Sequence, residues 1–119
     1  MRIDSINING WLSSGIVTAI LEVIMENRKI VRANGAGVFF GEIVKKDGDT
    51  VTIKNARRLW HWEGASSLSE LAQYGVARPD ACKFPCTVDE IEVFDVVEIL
   101  SVTDYAGKSI DGVKEWKQR

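Results

Sequence analysis

The chain has 119 residues and a formal net charge of −2, with 45% hydrophobic and 27% charged residues. That is the length of one domain, with enough apolar content for a packed core, which excludes a wholly disordered chain. Its overall acidity argues against a protein that coats nucleic acid over its whole surface.

Residues 1–27 read as an N-terminal extension. Ser13 or Ser14 can cap a helix that places Ile16, Val17, Ile20, Val23 and Ile24 on one face. The same run is rich in β-branched residues, which suit a strand; the helix is the preferred reading. Ile16–Ile24, interrupted by Thr18 and Glu22, is too short and too polar to span a bilayer. No basic leader or small-residue cleavage site accompanies it, so secretion is not expected. No membrane partner is expected either.

Residues 28–119 read as one small β-rich domain. Ile30–Ala33 is a short extended run and Asn34–Gly37 a bend. Val38–Val44 is a strand in which Gly41 permits sharp curvature or close backbone approach. Asp47-Gly48 is a hairpin signal. In Thr50–Lys54, Val51 and Ile53 point to one face and Thr50, Thr52 and Lys54 to the other. Bent strands joined by a tight hairpin are what a small barrel needs. From Asn55 the chain is expected to leave the sheet.

A capped helix follows at 66–74. Ser66 or Ser67 starts it, Glu70 stands near the capping-box position, Leu68, Leu71 and Ala72 face inward, and Gly75 stops it. Arg78-Pro79-Asp80 is a turn. Cys86–Phe94 and Val96–Val102 read as strands, the second the more buried. The tail from Asp104 has a short helical tendency, and Trp116 is expected to dock back on the body. The fold class expected is α+β, mainly β: a small bent-strand barrel of the SH3/Sm-like kind with an inserted helix.

Charge is unevenly distributed. Residues 28–58 hold eight basic residues against three acidic ones, and residues 59–119 hold six against eleven. Such a split suits self-association between opposite faces or a local anionic ligand site. With the exposed strand edges of a small barrel, it leads us to expect a homo-oligomer.

The candidate site is "RRLWHW". Arg57 and Arg58 offer planar donor forks for phosphate or carboxylate. Trp60 and Trp62 fall on one side if the strand continues, with His61 opposite. Indoles and guanidiniums together suit a nucleotide or another anionic aromatic ligand. The competing reading makes the tryptophans core and pairs the arginines with the acidic half, here or on another subunit. His61 lacks a nucleophile or orienting carboxylate in any recognisable motif, so no catalytic residue and no enzyme activity is expected. Cys82 and Cys86 with His61 supply only three metal ligands, so no metal and no cofactor is expected. Buried free thiols in a reduced compartment are the expected state. "GAGVFFG" is followed by no phosphate-binding helix start and is read as strand curvature.

Three stretches in this order and spacing, "VRANGAGVFFGEI", "KNARRLWHWEGASSLSELAQYGV" and "CKFPCTVDEIEV…EILSVT", resemble a family of small proteins of unknown function encoded by bacteriophages, prophages and other mobile elements. The resemblance covers about residues 28–119, and Met25 looks like the position where relatives begin. It implies an accessory protein acting in the bacterial cytoplasm and carries no activity. It also makes the Arg/Trp block a family signature. A weaker likeness, in strand pattern alone, is to Sm-like barrels, which form rings and bind RNA. The function expected is a homo-oligomeric binding module that sequesters an anionic ligand such as a signalling nucleotide. The alternatives are an assembly protein whose Arg/Trp block is a subunit interface, and a single-stranded nucleic-acid-binding module.

Overall fold

The computed structural model describes residues 27–118. The expected N-terminal helix lies outside the described residues. Five strands are present: β1 (Arg28–Ala33), β2 (Gly37–Asp47), β3 (Thr50–Arg58), β4 (Thr87–Val93) and β5 (Val96–Ser101). Helix α1 (Leu68–Tyr74) and a short 3-10 turn (Pro79–Ala81) lie between β3 and β4, and helix α2 (Asp104–Asp111) follows β5. All neighbouring strands are antiparallel, in the order β4-β3-β2-β1-β5.

This order puts β4 and β5 at opposite edges, yet only Phe94 and Asp95 connect them. A flat five-stranded sheet would hold its outer strands about 19 Å apart. The chain from Val93 to Val96 spans at most about 11 Å. The sheet must therefore coil until its edges approach at this corner. Asp95 adopts φ 56° there, and the Asp95 carbonyl accepts from the Asn34 N–H at 2.9 Å. No ladder joins β4 to β5, so the sheet is open and the barrel expected from the sequence is not closed. The backbone of β5 pairs instead with β1, and Val97 is skipped in that ladder because Ala33 faces Val96 while Arg32 faces Glu98. As an edge strand with one neighbour, β5 is only half-buried, where the sequence suggested a deeper one.

Coiling gives the sheet two apolar faces. Val31, Ala33, Phe39, Val51, Ile53, Ala56 and Val93 form the inner cluster, with Ile43, Ile91, Val96 and Ile99 at its margin, so all five strands contribute. On the outer face Ile30, Phe40 and Leu59 meet Leu71, Ala72, Phe84, Ile110 and Val113 from α1, α2 and the connecting segments. Neighbouring residues of one strand, such as Phe39 and Phe40, thus serve different cores, as the two-residue repeat requires.

The helices form where local signals place them. The Ser67 hydroxyl accepts from the Glu70 N–H at 3.1 Å, and Gly75 ends α1 with φ 72°. The Thr103 hydroxyl accepts from the Ala106 N–H at 3.0 Å to start α2. It also donates to the Gln73 carbonyl at 2.7 Å, which ties the start of α2 to the end of α1.

One irregularity controls the site. Strand β3 does not end at Lys54, as the sequence suggested, but runs on to Arg58. Asn55 takes φ 50° and, with Ala56, forms a bulge opposite Gly41. Asparagine tolerates that left-handed geometry better than most residues. A Cβ on Gly41 would lie 2.6 Å from Ile53 Cγ2 and 2.8 Å from the Lys54 carbonyl oxygen, so only glycine permits the approach.

Candidate functional site

The bulge shifts the alternation of β3 by one residue. Arg57 then stands opposite Phe40 on the outer face, and Arg58 opposite Phe39 on the inner side. The two arginines therefore diverge and do not share one ligand position.

Arg57 is half-buried and its guanidinium faces protein carbonyls. Nε donates to Pro85 at 3.3 Å, Nη1 to Ile110 at 3.0 Å, and Nη2 to Val113 at 2.6 Å and Phe84 at 3.4 Å. Desolvation lowers its pKa from the usual arginine value, opposed by the charges of Asp111 and Glu115. The guanidinium thus holds the last turn of α2 and the Phe84–Pro85 segment on the sheet, with cation and helix C-terminus favourably matched. Arg58 is exposed; its guanidinium lies 4.4 Å from the Phe39 ring centroid and donates to the Ala36 carbonyl.

The two tryptophans also part. Trp62 is half-buried and packs against the outer core. Trp60 is 59% exposed, and its ring centroid lies 5.0 Å from that of Trp116 at an interplanar angle of 49°. Lys83 Nζ is 5.7 Å from both centroids. The tail is held there by backbone: the Trp116 N–H donates to the Phe84 carbonyl at 2.9 Å. That carbonyl also receives Arg57, so one oxygen links the half-buried arginine to the indole pair.

His61 stands beside this pair. Its backbone exchanges hydrogen bonds with Lys83, at 3.3 Å for His61 N–H and 2.8 Å for Lys83 N–H. Its Nε2 lies 3.6 Å from Glu63 Oε2, while Glu63 Oε1 is 3.7 Å from Arg78 Nη1. Trp60, Trp116 and Lys83 thus form an aromatic platform with one central cation, flanked along the backbone by His61. Among the described residues Lys83 forms no ion pair. The sequence pointed to Trp60 and His61 but not to Lys83, which reaches them only through the His61–Lys83 bridge. Trp116 was legible as a docking residue without its partner.

The thiols are both free, but only Cys82 is buried; Cys86 is exposed, contrary to the sequence expectation, because it stands just before edge strand β4. Among the described residues no three His, Cys, Asp or Glu side chains are grouped to hold a metal ion. No helix among them is long and apolar enough to cross a membrane.

Fold and platform define a small, mainly β domain: an open five-stranded antiparallel sheet with two helices and an aromatic surface patch. The chain belongs to the family of the domain of unknown function DUF6948, whose model matches residues 26–110. No curated protein and no solved structure matches it.

Proposed function

We propose that the protein is a non-enzymatic binding module that captures an anionic aromatic ligand, a nucleotide being the ligand of best fit, on the Trp60–Trp116–Lys83 platform. The observation that carries this reading is an indole left 59% exposed while a second indole and a lysine with no ion pair among the described residues are held against it. A base stacks on the open face of Trp60, and the phosphate meets Lys83, with His61 as a hydrogen-bonding neighbour. Of the residues first singled out, Trp60 and His61 keep a ligand role here; Arg57, Arg58 and Trp62 do not. The platform suits a single nucleotide better than a nucleic-acid strand, because Arg78 is already paired with Glu63 and no row of free cations among the described residues tracks a backbone.

Titration with nucleotides, cyclic nucleotides and short oligonucleotides tests this by tryptophan quenching and melting temperature. A specific ligand raises Tm by mass action. Trp60→Ala then weakens binding roughly 5- to 150-fold, the range of one stacked base. No quenching by any of these compounds removes the proposal.

We also propose, as a second reading, an assembly role in a homo-oligomer, supported by the open edges β4 and β5 and by exposed Phe94 (60%) and Val97 (53%) beside them. The resemblance to mobile-element proteins supports an accessory role in the bacterial cytoplasm. The two-residue β4–β5 connection and the shared inner core support a small barrel left open on one side as the finer architecture.

A further inference from the structure

The bulge at Asn55 also opens a cleft of about 350 Å³ between the outer face of β1–β3 and the C-terminal end of α2. That is the lower end of the size range for small-molecule sites. Arg28 forms one side. Its guanidinium lies 4.3 Å from the Phe40 ring centroid, and Nη2 donates to Asp111 Oδ1 at 2.6 Å. This contact uses one of five N–H donors.

The remaining polar groups are not engaged with one another. Glu42 is the register partner of Arg28, yet Arg28 pairs with Asp111 instead. Glu42 is half-buried and, among the described residues, its carboxylate makes no ion pair and no hydrogen bond. The Asn55 amide and the Thr87 hydroxyl line the same cleft, both on exposed residues and both without a hydrogen-bond partner among the described residues. The formal charges balance: Arg28 and Arg57 against Glu42 and Asp111. Two carboxylates disfavour a polyanion, so this is not a nucleotide site. A ligand that satisfies the cleft carries a cation for Glu42 and a compact anion for the free donors of Arg28 and Asn55.

We propose that this cleft binds a free α-amino acid, with its carboxylate on Arg28 and Asn55 and its ammonium on Glu42. Free amino acids carry both groups on one carbon, whereas a peptide terminus offers only one of them. The proposal is independent of the nucleotide platform.

The test is thermal denaturation of the full chain with each of the twenty amino acids at about 10 mM, where a millimolar ligand raises Tm by a few degrees. At least one is expected to do so, and its amide and its N-acetyl derivative, each lacking one charge, to shift Tm far less. Asn55→Gly removes the amide while tolerating φ 50°, so the unliganded Tm is kept and the shift is lost. Glu42→Gln loses the shift as well, and Trp60→Ala keeps it. The proposal is overturned if no amino acid moves Tm, or if the shift survives Glu42→Gln.

Discussion

Arg57 sets its guanidinium against four backbone carbonyls, whereas Trp60, three residues on, keeps 59% of its surface in solvent. Both come from the same short block of sequence, and both are residue types that binding sites favour. The difference lies in what the fold leaves unsatisfied. Arg57 is where the outer face, the C-terminal end of α2 and the Phe84–Pro85 segment meet, and among the described residues it is the donor for the Pro85 and Val113 carbonyls there. Trp60 lies past the last residue of β3, where no further layer among the described residues covers it. A residue type therefore says little about role until its hydrogen-bonding account is known.

The largest effect expected is at Arg57. Arg57→Met keeps the apolar stem but takes the donor from the Pro85 and Val113 carbonyls, which have no other among the described residues, while Phe84 keeps the Trp116 N–H and Ile110 the Val113 N–H; this costs about 3 kcal/mol in urea denaturation. Arg57→Lys recovers less than half of this, because one ammonium cannot reach four acceptors spread around a planar fork. Loss of less than about 1 kcal/mol in Arg57→Met would return Arg57 to the list of ligand residues. Next comes Gly41→Ala, at about 2 kcal/mol. Its added methyl meets Ile53 and the Lys54 carbonyl, so it attacks the bulge that turns Arg57 outward. A stable Gly41→Ala protein with the sheet intact would show that the bulge is not needed to place Arg57 on the outer face.

What the sequence made legible was local. The Asp47-Gly48 hairpin, the inward pair Val51 and Ile53, and the Ser67–Glu70–Gly75 frame of α1 all rest on contacts within a few residues. That Arg57 and not Arg58 takes the outer face was not legible, since the bulge that shifts the alternation depends on one left-handed residue opposite a glycine fourteen positions earlier. Nor was the meeting of Trp60, Lys83 and Trp116, which come from three distant segments. The family match ends at residue 110, so Trp116 lies beyond it. The charge split reads differently as well. Arg28 pairs with Asp111 at 2.6 Å and Arg32 with Glu98 at 2.7 Å, and Lys54 stands in register with Glu90. The basic first half finds acidic partners within its own chain, so the argument for self-association rests on the open edges instead.

The cap of α1 stands between the two regions, exposed like Trp60 and structural like Arg57. Ser67→Ala is expected to cost about 1 kcal/mol. Glu70 adds a pH dependence. Hydrogen bonds from the Ser66 hydroxyl and then the Ser66 N–H hold its pKa below the ordinary carboxylate value. A depressed carboxylate stabilises the fold above its unfolded pKa, and that stabilisation is lost as pH falls through the folded value. The stability difference between the wild type and Glu70→Gln is therefore expected at pH 7 and shrinks below about pH 4. A difference that grows in acid would contradict this assignment.

The smallest expected effect on stability is the most informative about function. Trp60→Ala removes an exposed ring whose main neighbour is another ring, so it costs about 0.5 kcal/mol, and its coupling to Trp116→Ala in a double-mutant cycle is about 1 kcal/mol or less. Emission of the wild type should be red-shifted relative to Trp60→Ala, since the indole removed is the solvent-exposed one. If Trp60→Ala instead costs more than about 2 kcal/mol, a size reserved for core truncations, Trp60 is part of the packing. The contrast with Arg57 would then be one of degree, and the platform would lose its claim to be a surface kept open for a ligand.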